Sequence, residues 1–222
     1  MNPYQIRLEV SGAAACFTRP EFKVERVSYD CMPPSAAVGI LKSVYWHPGM
    51  DWAIERIHVC KPIRFATIVR NEVQLKGNGR EAAACYRRRT IPKGVFAADV
   101  RTQRSTRYLK DVRYVIEAHP ILLDGALHDG DSLTKFFQIF LRRARKGQCF
   151  SPAYLGCREF PVERMQLLRM DDPVEHEDVP DKPLGFMLYA IDYHNPKHIR
   201  PAFFSAELRD GVVEVAGKEI YR

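Results

Sequence analysis

A phenol, an indole and an imidazole stand side by side at Tyr45, Trp46 and His47, followed at once by Pro48-Gly49. Groups of this kind, gathered where a helix gives way to a turn, are well placed to meet a ligand. They would equally plug a core, so the rest of the chain has to arbitrate. The second concentration is cationic. Arg87, Arg88 and Arg89 run consecutively after Tyr86; Arg101, Arg104, Arg107, Lys110 and Arg113 recur every three residues, and Arg70 lies upstream. Six or more phosphate contacts make affinity steeply salt-dependent. On a strand a spacing of three alternates faces, so this series would wrap an edge. A solvated arginine-rich loop is the bland alternative, but Asp99 and Asp111 are too few to balance it. Arg142, Arg143, Arg145 and Lys146 need less explanation, because cations offset the negative end of a helix dipole.

A basic groove that holds RNA can cut it without a metal. The ribose 2′-hydroxyl attacks the adjacent phosphate and leaves a cyclic phosphate and a 5′-hydroxyl. The site then needs a group to take the 2′ proton, a cation for the phosphorane and an acid for the leaving oxygen. Each proton transfer is worth about 10²–10⁴ in rate, and charge stabilisation is often worth more. A tyrosine is a poor base unless a nearby cation lowers its pKa. Lys110 could do so if the fold brings it to Tyr45; otherwise Tyr45 is a core aromatic at a helix end. Glu175, His176, Glu177 and Asp178 have metal-binding side chains, but an acidic, proline-rich linker accounts for them as well. The chain lacks P-loop, G-x-S-x-G and H-E-x-x-H patterns. No metal or other cofactor is expected. His128 and Asp129 read as turn residues ahead of a helix.

The 222 residues, 46% of them hydrophobic, suffice for one large domain or one domain with a small appendage. A net charge of +7 fits a polyanion partner without requiring one. The six cysteines are irregularly spaced and form no C-x-x-C pair, so zinc knuckles lack their ligand spacing. Met1 to Val10 lacks the apolar run of a secretory leader, and no stretch approaches the ~20 apolar residues of a membrane span. Reduced thiols and a cytoplasmic location are expected, with no membrane partner.

Tyr4, Ile6, Leu8 and Val10 alternate as a half-buried strand requires. Ser35 is the expected cap of a helix carrying Val38, Leu41 and Tyr45 on one stripe, with Gly39 placed for close backbone packing and Pro48 as the stop. Trp52 to Val59 suggests a strand. Residues 63–75 have a strand pattern interrupted at Arg70-Asn71, and 76–94 suits a mobile loop. Residues 112–121 read as a further strand. Residues 131–147 make the clearest helix, capped by Asp131 or Ser132, with Leu133, Phe136, Phe137, Phe140 and Leu141 on one face. Residues 160–168 could return as a strand. The acidic stretch 171–183 is an expected exposed connector, followed by three short strands at 185–193, 202–208 and 212–215. The order strand, helix, strand, strand, helix, strand is that of an α+β, ferredoxin-like (RRM-type) fold. The expected organisation is an N-terminal domain over 1–170 with a basic hairpin segment, a linker over 171–183, and a small antiparallel β-sheet domain over 184–222.

The block PPSAAVGILKSVYWHPGMDWAIERIHVCKPIRF, followed by IVRNEV, RYLKDVRY, YLGCREFP and FFSAELRDGVVEV, resembles the CRISPR-associated "Cas five" family, and within it the d-type (c-type) subfamily of type I-C systems. The resemblance implies a repeat-specific endoribonuclease that cuts precursor CRISPR RNA at the base of the repeat hairpin. It also implies that the protein stays on the crRNA 5′ handle beside other type I-C Cascade subunits. The family's tyrosine carries over to Tyr45 and its lysine to Lys110. The family's histidine follows that lysine, where this chain has Asp111, so His47 or His119 would take the third role, or the role is dispensable. The alternative from another class is a non-catalytic subunit that caps the crRNA handle. Weak duplex DNA binding would not surprise on so basic a surface.

Overall fold

Alternation at the N-terminus becomes β1 (Ile6–Ala15), where Ile6, Leu8 and Val10 are buried and the residues between them half-exposed. The computed structural model describes residues 2–222 except 23, 76, 92, 93, 95, 124 and 194–197. Along it follow β2 (Arg26–Val27), α1 (Pro34–Val44), β3 (Met50–Val59), β4 (Phe65–Val73), α2 (Gly79–Arg88) and β5 (Arg101–Leu122). Then come α3 (Leu133–Arg145), β6 (Arg164–Leu168), β7 (Lys182–Asp192), β8 (Arg200–Arg209), β9 (Val212–Glu214) and β10 (Ile220–Tyr221). The ten strands make one sheet in the order β10-β8-β9-β3-β5-β1-β6, with β2 and β4 also on β5, and β7 on β8. Every pairing is antiparallel except that of β2 with β5.

The spine is β5. Its second half lies between β1 (Ile6 opposite Ala118, Ala15 opposite Leu109) and β3 (Met50 opposite Leu122, Val59 opposite Tyr114). Its first half pairs with β4, Phe65 opposite Leu109 and Val73 opposite Arg101. The β4–β5 ribbon therefore runs outward from the core, with the basic segment at its tip. Arg70-Asn71 does not interrupt β4, contrary to the sequence expectation; these residues pair with Arg104 and Gln103. A ribbon with so little burial on either face has no apolar alternation to announce it. The expected loop at 76–94 contains α2, capped by Asn78, whose side chain accepts from the Glu81 N–H (3.2 Å). This helix buries none of its side chains.

Helices α1 and α3 cover one face of the sheet. Ile40, Leu41 and Val44 of α1 and Phe136, Phe137 and Phe140 of α3 are buried, each contributing roughly 1.5–3 kcal/mol. The cap of α1 is Pro33 and not Ser35: Pro34 occupies the first turn, where its missing N–H costs nothing, and no side chain caps the end. Ser132, one of the two candidates, caps α3 by accepting from the Lys135 N–H (3.2 Å). The C-terminal strands do not form a separate sheet. Val213 of β9 pairs with Ile57 of β3 and with Leu208 of β8, which extends the main ladder. Nor does the acidic stretch 171–183 run free, because the Glu177 N–H donates to the Cys60 carbonyl and the Arg113 guanidinium to the Glu175 carbonyl. His176, offered as a metal ligand by sequence, contacts the Val59 carbonyl (3.1 Å) and His58 (3.3 Å).

Candidate functional site

Tyr45 caps the C-terminus of α1 in an extended conformation, its N–H donating to the Leu41 carbonyl (3.3 Å). Its ring is half-buried, 6.3 Å from that of Phe136 in the first turn of α3. Two residues on, the His47 Nδ1 accepts from the Gly49 N–H (3.1 Å). Gly49 is required there, since a Cβ would come within 2.9 Å of the Ala126 carbonyl oxygen. The His47 ring lies 4.5 Å from Phe136 and 6.2 Å from His128. Because Nδ1 accepts, the neutral ring carries its proton on Nε2. That atom is 3.6 Å from Asp131 Oδ2.

Asp131 organises the cluster. Its Oδ2 accepts from the His128 N–H (3.0 Å), and its Oδ1 lies 3.1 Å from Lys135 Nζ, one helical turn on. The His128 N–H above all, then Lys135 and His47, holds this carboxyl below the usual carboxylate range. Burial pushes the Tyr45 phenol above its ordinary value; Lys135 pulls it down, Asp131 raises it and Arg143 lowers it. The phenol therefore keeps its proton at neutral pH and suits a donor better than a base. Arg143 is held close by, its Nε donating to the Val44 carbonyl (2.7 Å). Phenol, imidazole and ammonium thus gather where α1 ends and α3 begins, and the Arg143 guanidinium reaches the end of α1 from the last turn of α3, an arrangement suited to a phosphodiester anion.

Lys110 is not among them. It faces Ala14 across the β1–β5 ladder, whereas Tyr45 lies beside the opposite end, where Met50 pairs with Leu122. The 110–122 stretch of β5 spans about 40 Å at ~3.3 Å per residue. The expected meeting of Tyr45 with Lys110 therefore does not occur in this arrangement. The fold sets α1 antiparallel to β1, which carries the end of the helix away from Ala14. His119 Nδ1 stands 2.7 Å from Glu55 Oε1. It shares a sheet face with Glu117, and its neighbour Pro120 pairs with Trp52, which packs on Phe140 of α3 at 4.5 Å. Since alternate residues point to opposite faces, His119 lies on the side away from the helices and from Tyr45.

The expected phosphate-binding arginines divide into two groups. Arg70 is bonded to Glu159 (2.7 Å) and Thr106 (3.0 Å), Arg104 to the Val24 carbonyl (3.1 Å), and Arg113 to the Glu175 carbonyl (3.0 Å). These three brace the ribbon and the acidic stretch. By contrast, Arg87 and Arg88 on α2, Arg89 at its C-cap and Arg101 at the ribbon tip are exposed, as is Arg107, whose guanidinium lies 4.1 Å from the Phe65 ring centre. Among the described residues, no group of three or more His, Cys, Asp or Glu is placed to hold a metal ion. No helix among them is long and apolar enough to cross a membrane.

Lys135 escaped the sequence reading, which gives Asp131 only as a cap candidate and His128 only as a turn residue. The Asp131–Lys135 spacing of one helical turn was a local signal, but nothing local ties either residue to position 45.

A family model described as "CRISPR-associated protein (Cas_Cas5)", of the Cas5d type, matches residues 5–216. A "CRISPR pre-crRNA endoribonuclease Cas5d" of Mannheimia succiniciproducens is 43% identical over 216 residues, covering 95% of this chain and 94% of the relative. One of the same name from Thermus thermophilus is 36% identical, covering 98% and 95%. A solved structure titled "Crystal Structure of CRISPR-associated Protein" superposes with a TM-score of 0.67 at 20% identity, covering 98% of this chain and 96% of its own. A chain of a "CRISPR RNA-guided surveillance complex" does so at 0.54 and 12%, covering 98% and 89%. Matched along nearly its whole length, the chain belongs to the Cas5d family of CRISPR-associated proteins.

Proposed function

We propose that this protein is a precursor-crRNA endoribonuclease whose reaction centre is the Tyr45–His128–Lys135 cluster, held in place by His47 and Asp131. Sequence similarity to two named endoribonucleases supports the activity, and the convergence of a phenol, an imidazole and an ammonium around Asp131 supports the location. The four-strand order β3-β5-β1-β6, with α1 and α3 on one face, supports a ferredoxin-like reading of the platform. In the proposed reaction the 2′-oxygen attacks phosphorus and forms the cyclic phosphate, and the bond to the 5′-oxygen breaks. The Tyr45 phenol donates its proton to that leaving oxygen. Lys135 faces the charge that develops on the phosphorane. His128, exposed at the rim, takes the 2′ proton, while His47 holds Asp131 and the turn in place. The exposed arginines of α2 and the ribbon hold the repeat hairpin, and the protein stays on the 5′ handle within a type I-C Cascade complex.

The test is incubation of the purified protein with its hairpin repeat RNA in EDTA. A single cut ending in a cyclic phosphate is expected. Tyr45→Phe is expected to slow it by at least ~10²-fold with hairpin affinity retained. Tight binding of uncut RNA would favour the capping role instead, and wild-type cleavage by Tyr45→Phe would return that ring to the core.

A further inference from the structure

The turn that carries Tyr45 also turns an indole outward. Trp46 is 49% exposed and faces Phe150, 69% exposed, with ring centres 6.4 Å apart and planes tilted by 30°. The other tryptophan, Trp52, is buried in the core. Distant parts of the chain hold the two rings. Trp46 follows the cap of α1, while the Phe150 and Ser151 N–H groups both donate to the Ser43 carbonyl (2.6 and 3.1 Å), fastening the segment after α3 to the last turn of α1. Between the rings the floor is open. Gly39 was expected to serve close packing, but a Cβ there would meet nothing within 4 Å. Lys42 edges the cleft and lies 2.8 Å from Asp51. A flat guest needs about 3.5 Å to each ring, ~7 Å in all; the ring centres at 6.4 Å fall just short of that, so binding requires the exposed Phe150 ring to swing outward.

We propose that Trp46 and Phe150 form a stacking slot for one unpaired nucleobase beside the scissile phosphate, which makes Trp46 a positioning residue. This rests on the reading of Tyr45 as part of an RNA-cleaving centre. The occupant is a base of the same strand because the slot adjoins Tyr45, offers two π faces and is edged by a cation. Stacking of this kind tolerates any base, since each has a π face.

The probe is a hairpin repeat RNA with a 2′-deoxyribose at the cut, so that binding is read without cleavage. A single abasic site is moved through the unpaired nucleotides beside the hairpin. At one position the abasic RNA should bind roughly tenfold more weakly, and Trp46→Ala should weaken intact RNA by a similar factor. The two changes together should lose no more than either alone, and Trp46→Phe should recover most of the affinity. Intact RNA should also quench indole emission where the abasic RNA does not. Phe150→Ala repeats the test on a ring outside the core. Additive losses at every position, or undiminished binding by Trp46→Ala, would overturn the slot. If the repeat is still cut and Tyr45→Phe is inert, the slot alone has failed; a protein that binds no repeat RNA sinks both proposals.

Discussion

At Tyr45 the decisive quantity is the balance between burial, which keeps the phenol protonated, and the cations Lys135 and Arg143, which oppose it. A protonated phenol next to an ammonium can donate and neutralise, and those are the tasks a departing 5′-oxygen sets. Lys135→Ala should therefore slow single-turnover cleavage by ~10²–10³-fold, while Lys110→Ala should cut at close to the wild-type rate. The opposite ranking would mean that the working form of the protein brings the far end of β5 to Tyr45. Glu159 permits a pH test. Its own backbone N–H, then Arg70 and Arg26, lowers its carboxyl from 4.5 to about 2. A carboxyl lowered on folding stabilises the native state above its unfolded pKa and loses that contribution as pH falls through the folded one. The melting-temperature advantage of the wild type over Glu159→Gln should therefore be present at pH 6 and shrink between pH 4.5 and 2.

At the scale of elements, the β4–β5 ribbon and α2 form an arm whose structure is set by backbone pairing and braced by ion pairs midway along the ribbon. Arg26 and Arg70 share Glu159 at 2.8 and 2.7 Å, joining β2 and β4 to the segment that leads into β6. Beyond that point the arm buries little, since α2 has no buried residue. Replacing residues 76–98 by a short glycine–serine turn should shift the melting temperature by no more than about 2 °C, far less than a core truncation. It should also weaken hairpin binding and lower the salt slope of log affinity by roughly three, at about 0.9 per lost phosphate contact. An unchanged salt slope would show that Arg87, Arg88 and Arg89 do not contact RNA.

Across the whole molecule one hydrogen-bond ladder joins the N-terminal strands to the C-terminal ones, and a single apolar cluster contains both Phe140 and Phe204. Phe140→Ala should cost about 3–5 kcal/mol, lowering the melting temperature by roughly 10 °C. Phe204→Ala should lower the same transition. Two separate unfolding steps would mean that residues 184–222 fold as their own unit.

Local chemistry determined the elements that bury a face. The stripe of Phe136, Phe137 and Phe140 and the alternation of β1 could be read directly, because burial leaves a period in the sequence. The RNA-processing family was legible too, from the long block around SVYWHP. The exposed ribbon and α2 were not, because backbone pairing and solvated faces leave no apolar period. Nor was the lysine whose charge acts on Tyr45. Position 135 reaches position 45 only because α1 and α3 lie on the same sheet face, and Lys110 is carried off because β5 runs 22 residues through the molecule. Spacing along a chain fixes which side chains share a face, whereas the packing of distant elements decides which of them meet.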